Sequence, residues 1–248
     1  MSIAIAILMK DPADAKTRLS PALGNDAREM LALMLFKNTL GFFRRFHENK
    51  PLAVVSPSNR IAEIARAHGA EAVLDQPQGD INAAAARAAE WAHTIDAASL
   101  LIVHADIPTL EAAEFSELIE AGKRDAVALA ESHDGGTNAL MLSPPDAIPF
   151  RFGRNSASAH EAAAGKAGRT ATRLRLPHLS RDIDTPGDLM SSLLRGERRE
   201  NAFKAIALPG LPEVDAGDDL AVLIADALAM LRNLEHRGAV GADPLAGD

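Results

Sequence analysis

The sequence has 248 residues, with 26 lysines and arginines against 34 aspartates and glutamates, which gives a formal net charge of −8. This acidic balance, with no tyrosine and one tryptophan, argues against a nucleic-acid partner, and the absence of cysteine excludes disulfide frameworks, thiolate metal sites and cysteine nucleophiles. The longest apolar run, Ile3 to Met9, is far too short to span a membrane and lacks signal-peptide flanks, so we expect a cytoplasmic protein.

Predicted strands and helices alternate at short spacing over residues 1–195. Short apolar runs predict buried strands, and amphipathic or alanine-rich stretches predict helices. In chain order they are the strand Ile3 to Met9, a long helix capped by Asn25 or Asp26, the strand Leu52 to Val55, the helix Arg60 to His68, the strand Ala72 to Leu74, the helix Ile81 to His93, the strand Ser99 to His104, the helix Glu111 to Ala121, the strand Ala126 to Ala130, the strand Ala139 to Leu142, the helix Ser156 to Ala164, the strand Thr172 to Leu176 and the helix Pro186 to Leu194. This pattern is typical of a mostly parallel sheet flanked by helices.

The link before the sixth strand is too short to hold a crossover helix. His133 to Asn138 is rich in turn residues, and the strand Ala139 to Leu142 follows it directly. Because parallel neighbours need a long crossover connection, we expect this strand to run antiparallel in an otherwise parallel sheet.

Two helices carry predictions about their faces and ends. The apolar side of the first helix is predicted to include Met30, Leu31, Met34, Leu35 and Leu40. Gly69 is predicted to lie just past the second helix, where the left-handed conformation of glycine commonly ends a helix.

The C-terminal part of the sequence has a different composition. Residues Arg195 to Arg199 are polar and charged, a strand and turn are predicted from Ala205 to Pro212, and Asp218 is predicted to cap a helix that runs to about Leu234. A segment shorter than about 40 to 50 residues rarely holds a core of its own. We therefore predict a main domain over residues 1–195 and a C-terminal extension over 196–248 that docks on it or belongs to something longer.

Three cations follow the first strand, at a carboxyl end where open α/β sheets bind ligands. They are Lys10, Lys16 and Arg18. In an acidic protein this local positive charge is suited to clamping a phosphate, and a guanidinium can bind two phosphate oxygens at once. Taken alone, the loop is equally consistent with a solvated surface loop that carries ordinary charges.

Carboxylates lie in two other predicted loops. Asp106 follows the fourth strand, and Asp182 and Asp184 alternate along one extended segment. Two carboxylates on one side of a segment repel each other unless a cation lies between them, so together with Asp106 they predict a magnesium site. The alternative is that these residues cap helices, a role that Pro186 at a first helical position favours for Asp184 or Thr185.

Two glycine-containing segments complete the candidates. They are Asp134 to Asn138, which contains Thr137, and Phe152 to Ser156, which contains Gly153. Glycines let backbone N–H groups approach a ligand closely, and a cap at Ser156 would begin a helix whose N-terminus favours an anion. The alternative interpretation is two turns and a helix cap without a ligand.

Several other chemistries have no signature in this sequence. His104, His133 and His160 lack the spacing of metal ligands, so each is expected to be a core or surface histidine. The sequence shows no pattern typical of a Ser-His-Asp triad, and it contains neither a GxxxxGK[ST] loop nor a GxGxxG loop. P-loop hydrolases and dinucleotide-dependent oxidoreductases are therefore disfavoured.

Read in order, the candidate segments resemble one family. They are Lys10-x5-Lys16-x-Arg18-Leu19-Ser20, Gly79-Asp80-Ile81-Asn82-Ala83-Ala84, Ala105-Asp106-Ile107-Pro108, Asp134-Gly135-Gly136-Thr137-Asn138-Ala139-Leu140, Phe152-Gly153-x-x-Ser156 and Asp182-x-Asp184-Thr185-Pro186-x-Asp188-Leu189. Over roughly Ile3 to Leu194 the sequence resembles the 2-phospho-L-lactate guanylyltransferases of coenzyme F-420 biosynthesis. The departures are Met9, where a small residue or valine is common, and isoleucine instead of leucine at Ile81 and Ile107.

The resemblance implies a nucleotide-diphospho-sugar transferase (glycosyltransferase-A-like) α/β fold. It also implies transfer of GMP from GTP to 2-phospho-L-lactate, phosphoenolpyruvate or 3-phospho-D-glycerate, with release of pyrophosphate. By the same resemblance, Lys10, Lys16, Arg18 and Asn82 bind the nucleotide, Lys16 and Arg18 are the catalytic cations, Thr137, Gly153 and Ser156 bind the acid, and Asp106, Asp182 and Asp184 bind Mg²⁺. The attacking phosphate is already largely ionised, because its second pKa is about 6, so no general base is needed.

Two rival functions are weighed against this one. Another nucleotidyltransferase of the same fold, acting on a sugar phosphate or a molybdenum cofactor, usually opens with a glycine-rich loop, which Lys10 to Arg18 lacks. A non-catalytic nucleotide-sensing module would not need Asp106, Asp182 and Asp184 all intact.

The C-terminal extension carries a second resemblance. Ile206 to Val214, with Gly217 to Leu220 and Leu223-Ile224, resembles the start of the γ-glutamyl ligase of the same pathway. Those ligases continue beyond a Gly-Asp pair into a strand, and this sequence stops at Gly247-Asp248. We therefore expect the guanylyltransferase half of a bifunctional protein, with a fused or associated ligase domain.

Overall fold

Seven strands form one mixed sheet in the part of the chain that the structure describes. The computed structural model describes residues 2–76 and 79–196, with the backbone alone over 193–196. The strands are β1 Ile3–Leu8, β2 Leu52–Ser56, β3 Glu71–Leu74, β4 Ser99–His104, β5 Val127–Glu131, β6 Thr137–Leu142 and β7 Ala171–Leu174. The helices are α1 Asn25–Phe46, α2 Asn59–Ala67, α3 Ile81–Thr94, α4 Ala112–Arg124, α5 Ser156–Lys166 and α6 Pro186–Gly196.

The chain divides into two units at the end of the predicted main domain. The first is Met1–Ser192, which contains the sheet, and the second is Leu193–Asp248. The predicted strand, turn and helix of the C-terminal extension, and its resemblance to a ligase, lie outside the described residues. Among the described residues, no helix has the length and apolar character that crossing a membrane requires.

The strand order is β3-β2-β1-β4-β6-β5-β7, and β6 runs antiparallel to both of its neighbours. The predicted antiparallel strand is therefore confirmed. Because β6 runs the other way, its first residues lie at the sheet edge where β1, β4 and β5 end. This edge, which we call the carboxyl edge, collects residues from the ends of several parallel strands and from the start of β6.

Both faces of the sheet are covered by helices, which explains why β1 is apolar at every position. Alternate residues of β1 belong to two cores: Ile5 lies in the core that contains Phe36 and Phe115, and Ala6 lies in the core that contains Trp91. The first core lies against α1, α2 and α4, and the second lies against α3 and α5. A strand with two buried faces must be apolar throughout, as parallel sheets in α/β proteins are.

Three details of the helix predictions are wrong, and one is confirmed. Met30 and Met34 are 40% and 37% exposed, because the buried side of α1 is rotated toward Leu31, Leu35, Phe36, Leu40 and Phe43. The residue that caps α1 is Gly24, whose extended backbone precedes the helix without a side-chain bond. Ser156 is the first helical residue of α5 rather than its cap. Gly69 has φ +73 just past α2, as predicted.

Candidate active site

The loop that carries Lys10, Lys16 and Arg18, which we call the basic loop, meets Asp106 at the carboxyl edge. Leu8 at the end of β1 is aligned with His104 at the end of β4, so the segments that follow these two strands leave the sheet side by side. There the Nζ of Lys16 lies 2.9 Å from the Oδ2 of Asp106, across 90 positions of sequence. The Lys16 and Asp106 side chains are 6% and 28% exposed, so the ion pair is buried on the lysine side and partly open on the aspartate side.

The local backbone presents Lys16 from a tight loop. Two short 3-10 turns, Pro12–Asp14 and Thr17–Leu19, flank Lys16, whose own backbone is left-handed with φ 56. The buried guanidinium of Arg28 donates to the carbonyl oxygen of Ala15 at 3.2 Å. The loop is therefore fixed on both sides of Lys16, and the buried ammonium group is directed at Asp106.

Asp106 combines an ion pair with an unused oxygen. Burial alone would raise the pKa of Asp106, but the nearby charges of Lys16 and His104 and the hydrogen bond from Lys16 outweigh it, so the pKa is lowered. Asp106 is therefore ionised at neutral pH. Its other oxygen, Oδ1, is buried and has no hydrogen-bond partner among the described residues, an arrangement suited to a ligand for a hard cation.

Asp182 lies close enough to Asp106 for the two charges to interact. Burial and the negative charge of Asp106 raise the pKa of Asp182 to about 6, against a hydrogen bond from Asn138. The Nδ2 of Asn138 donates to Asp182 at 3.3 Å and to the carbonyl oxygen of Leu179 at 2.9 Å. The backbone N–H of Ile183 donates to the carbonyl oxygen of Asp106 at 3.3 Å, which joins the two acidic segments.

Asp184 pairs with the second catalytic candidate of the basic loop. The Nη1 of Arg18 donates to the Oδ2 of Asp184 at 2.8 Å, and the two side chains are 69% and 34% exposed. The following helix is capped by Thr185, whose Oγ1 accepts from the backbone N–H of Asp188 at 3.3 Å while the Asp188 carboxylate accepts from Thr185. The alternative role of this segment, a helix cap, is therefore confirmed for Thr185.

The acidic residues do not form a closed metal cage. Among the described residues, no three histidine, aspartate or glutamate side chains are arranged to hold a metal ion. His133 lies 3.6 Å from Asp182 and 3.5 Å from Asp188, beside the same segment. What the chain offers is a pair of adjacent carboxylates, Asp106 and Asp182. Mg²⁺ is commonly held in this way, by one or two carboxylates together with phosphate oxygens and water.

A second, uncharged cluster lies at the start of β6, and we call it the hydroxyl cluster. The Oγ of Ser156 donates to the Oγ1 of Thr137 at 3.0 Å, and Thr137 lies 3.1 Å from the Nδ1 of His160. All three side chains are buried. The N–H of Ala157 donates to the carbonyl oxygen of Gly135 at 3.2 Å, so the two glycine-containing segments predicted from the sequence are in contact.

Two of the remaining predicted residues, Asn82 and Gly153, belong to segments beside this cluster, and the third, Lys10, does not. The Oδ1 of Asn82 accepts from the backbone N–H of Phe152 at 2.7 Å, and its Nδ2 donates to the carbonyl oxygen of the same residue at 3.2 Å. Asn82 thereby fixes the segment that contains Gly153, which is exposed and has φ +129. Lys10 is exposed at the start of the basic loop.

Sequence reasoning missed four supporting residues: Arg28, Glu114, Asn138 and His160. Glu114 accepts from the backbone N–H groups of His178 and Leu179, which anchors the segment before Asp182. His160 is spaced four positions from Ser156 on one helix, so both side chains lie on the same face. That spacing is a usable signal for His160, whereas the partners of Arg28 and Glu114 are fixed only by the fold.

Comparisons with known proteins identify the family of this chain. The family model described as "Guanylyl transferase CofC like" matches residues 3–208. The 3-phospho-D-glycerate guanylyltransferase of Colwellia psychrerythraea is 40% identical over 186 residues, which are 75% of this chain and 88% of that protein. The phosphoenolpyruvate guanylyltransferase of Sphaerobacter thermophilus is 39% identical over 176 residues, which are 71% of this chain and 84% of that protein.

Solved structures of nucleotidyltransferases share the fold. A protein of Desulfovibrio desulfuricans assigned as a nucleotide-diphospho-sugar transferase superposes with a TM-score of 0.65 at 18% identity, over 94% of this chain and 98% of its own. A 4-diphosphocytidyl-2C-methyl-D-erythritol synthase of Anaerococcus prevotii gives a TM-score of 0.54 at 10% identity, over 79% of this chain and 99% of its own. These likenesses confirm the predicted fold, and the family match confirms the resemblance. The chain belongs to the family of CofC-like guanylyltransferases.

Proposed function

We propose that this guanylyltransferase transfers GMP from GTP to a phosphorylated three-carbon acid, with release of pyrophosphate, as a step in coenzyme F-420 biosynthesis. The contact between Lys16 and Asp106 carries the proposal, because it joins a phosphate-binding cation to a carboxylate suited to a metal ion at the edge where α/β sheets bind ligands. The related proteins are named for 3-phospho-D-glycerate and phosphoenolpyruvate as acids. We expect the reaction in the cytoplasm.

In this proposal the nucleotide lies against the basic loop. Lys10, Lys16 and Arg18 contact its phosphates, and Asn82 borders it from the start of α3. Lys16 is buried and its charge is poorly screened by solvent, whereas Arg18 is exposed and adaptable. GTP phosphates compete for both cations, which are paired with Asp106 and Asp184 in the free protein.

The proposed magnesium ligands are Asp106, Asp182 and Asp184. The unpartnered Oδ1 of Asp106 and the neighbouring carboxylate of Asp182 supply oxygen donors of the kind that Mg²⁺ prefers. When bound, Mg²⁺ offsets negative charge on the phosphates and stabilises the charge that develops on the leaving pyrophosphate. Lys16 and Arg18 share this work at the same phosphates.

The acid is proposed to bind at Thr137, Gly153 and Ser156. Its own phosphate oxygen attacks the α-phosphorus of GTP, and the new P–O bond forms as the bond to the β-phosphate oxygen breaks. The electron pair of the broken bond leaves on pyrophosphate. Because the attacking oxygen is already ionised near pH 7, the residues of this chain need to align two polyanions rather than to remove a proton.

Pyrophosphate release tests the proposal directly. The chain is incubated with GTP and Mg²⁺ and with 2-phospho-L-lactate, phosphoenolpyruvate or 3-phospho-D-glycerate in separate reactions. The downstream deazaflavin acceptor and its transferase are present to consume the guanylylated acid, which drives the reaction forward. Release with one acid supports the proposal and identifies the substrate. GTP binding without release for any acid would overturn it and favour a nucleotide sensor.

A further inference from the structure

His160 is held in one protonation form by a backbone group. Its Nε2 accepts a hydrogen bond from the backbone N–H of Arg151 at 3.0 Å. A backbone N–H can only donate, so Nε2 carries no proton. A neutral imidazole has one N–H, which must then be on Nδ1. The Nδ1–H therefore donates to the Oγ1 of Thr137, which lies 3.1 Å away.

The surroundings of the ring keep it neutral and oriented. His160 is fully buried, and the ring of Phe152 contacts it edge-on with centroids 4.9 Å apart. Burial, followed by the nearby His104 and Arg151, lowers the pKa of His160 to about 4. A protonated ring would carry a second N–H directed at the backbone N–H of Arg151, so the geometry also disfavours the charged form.

Thr137 consequently receives two hydrogen bonds. One comes from the Nδ1–H of His160 and the other from the Oγ–H of Ser156. Two donors occupy both lone pairs of the Thr137 oxygen, so its own proton must be donated elsewhere. Among the described residues no acceptor for that proton is present. A buried hydroxyl group whose proton has no acceptor in the protein can donate it to an anionic ligand.

We infer that His160 is a positioning residue: its hydrogen bond to Thr137 orients the Thr137 hydroxyl so that this group donates its proton to the anionic acid substrate. The inference rests on the proposed function. His160 does not touch the acid. It acts through Thr137, and its role differs from that of a packing residue because it depends on which ring nitrogen carries the proton.

Two variants of His160 separate the roles of its nitrogens. In His160→Asn, the amide nitrogen takes the place of Nδ1 and can still donate to Thr137, while the bond from Arg151 is lost. In His160→Gln, the amide oxygen takes the place of Nε2 and can still accept from Arg151, while the bond to Thr137 is lost. Both variants replace the aromatic ring by a neutral amide, and the pair separates the two hydrogen bonds.

Steady-state pyrophosphate release gives the first readout. We expect His160→Gln to raise the KM for the acid about 10-fold, because one hydrogen bond to a charged ligand is weakened or lost. The KM for GTP should stay within about twofold. His160→Asn should raise the KM for the acid less. In Thr137→Val, the added change His160→Gln should cost no more, because the group it positions is absent. Equal losses in both His160 variants, or additive losses in Thr137→Val, would overturn the inference.

Nitrogen-15 NMR of the free protein gives a second readout that does not depend on turnover. The imidazole resonances of His160, assigned by their loss in His160→Asn, should report a protonated Nδ1 and an unprotonated Nε2. A proton on Nε2 would overturn the inference even if the enzyme is active. If no acid supports pyrophosphate release by the unmodified chain, the proposed function fails instead, and the NMR result still decides the state of His160.

Discussion

The two halves of the candidate site satisfy their polar groups in opposite ways. At the basic loop, Lys16 and Arg18 are held by carboxylates of the same chain, Asp106 and Asp184, so the free protein forms ion pairs where the ligand would bind. In the hydroxyl cluster, neutral groups are bonded to one another and one hydroxyl proton is left over. In the proposed function, Lys16 and Arg18 must therefore leave their carboxylate partners when the nucleotide binds, whereas the acid meets a cluster that is already arranged.

The difference indicates where binding energy is used. Breaking a buried ion pair is costly unless both charges find new partners at once, and a nucleotide with Mg²⁺ brings an anion for Lys16 and a cation for Asp106. We therefore expect the charged half to respond strongly to single substitutions, because one partner is then left unpaired. The hydroxyl cluster should respond by smaller steps, since each substitution there removes a hydrogen bond between neutral groups and leaves no charge unpaired.

The largest expected effect is on the acidic side of the charged half. We predict that Asp106→Asn and Asp184→Ala each lower kcat/KM for pyrophosphate release by about 100-fold or more, because each removes a proposed ligand of Mg²⁺, the ion that offsets the negative charge of the phosphates in the transition state. Asp146→Asn is the control, since Asp146 is exposed and follows the far end of β6, away from the carboxyl edge. Normal Mg²⁺-dependent rates in Asp184→Ala would remove Asp184 from the site.

The next effect compares the two cations of the basic loop. Lys16→Met keeps the buried aliphatic stem and removes the charge, and we expect the KM for GTP to rise about 10-fold or more. Arg18→Met should raise it less, because Arg18 is exposed and its charge is screened. Measuring both KM values at low and high salt tests this reasoning. A larger effect for Arg18, or equal salt sensitivity, would contradict the assignment of Lys16 as the principal cation.

The smallest predicted effect concerns folding stability. Burial raises the pKa of Asp182 from 3.8 to about 6. At neutral pH the carboxyl is therefore harder to ionise in the folded protein than in the unfolded chain, and its ionisation lowers the free energy of unfolding. Asp182→Asn should therefore raise the free energy of unfolding by about 1–3 kcal/mol at pH 7 without Mg²⁺, and most of this gain should be lost at pH 4. Urea unfolding in EDTA at both pH values measures this. A gain that persists at pH 4 would assign it to something other than the charge.

The sequence was informative where the chemistry is local. Turn residues between β5 and β6 correctly predicted an antiparallel strand, and the apolar run of β1 correctly predicted burial on both faces. It was misleading at Met30 and Met34, since helical periodicity does not distinguish the buried edge of a wide apolar side from its exposed edge. The contact of Lys16 with Asp106 depends on β1 and β4 being neighbours, which no local pattern encodes.

The role of His160 also depends on contacts that the local sequence does not predict. The residue was predicted as a core or surface histidine, and it does lie in the core. Its function depends on which nitrogen faces the backbone of Arg151 and which faces Thr137, and His160 and these two partners lie in three separate segments. A pattern of residue types can locate such a histidine on a helix face, but only the assembled fold fixes its tautomer.

The first two residues of β6 have a consequence for how substrate preference can change. Thr137 belongs to the hydroxyl cluster and Asn138 contacts Asp182, so neighbouring positions on one strand supply the two halves of the candidate site from opposite sides of the pleat. A one-residue insertion or deletion in the turn before β6 would exchange these side chains and damage both halves together. Selection for a different acid should therefore act by point substitution around Thr137, while the length of that turn stays constant.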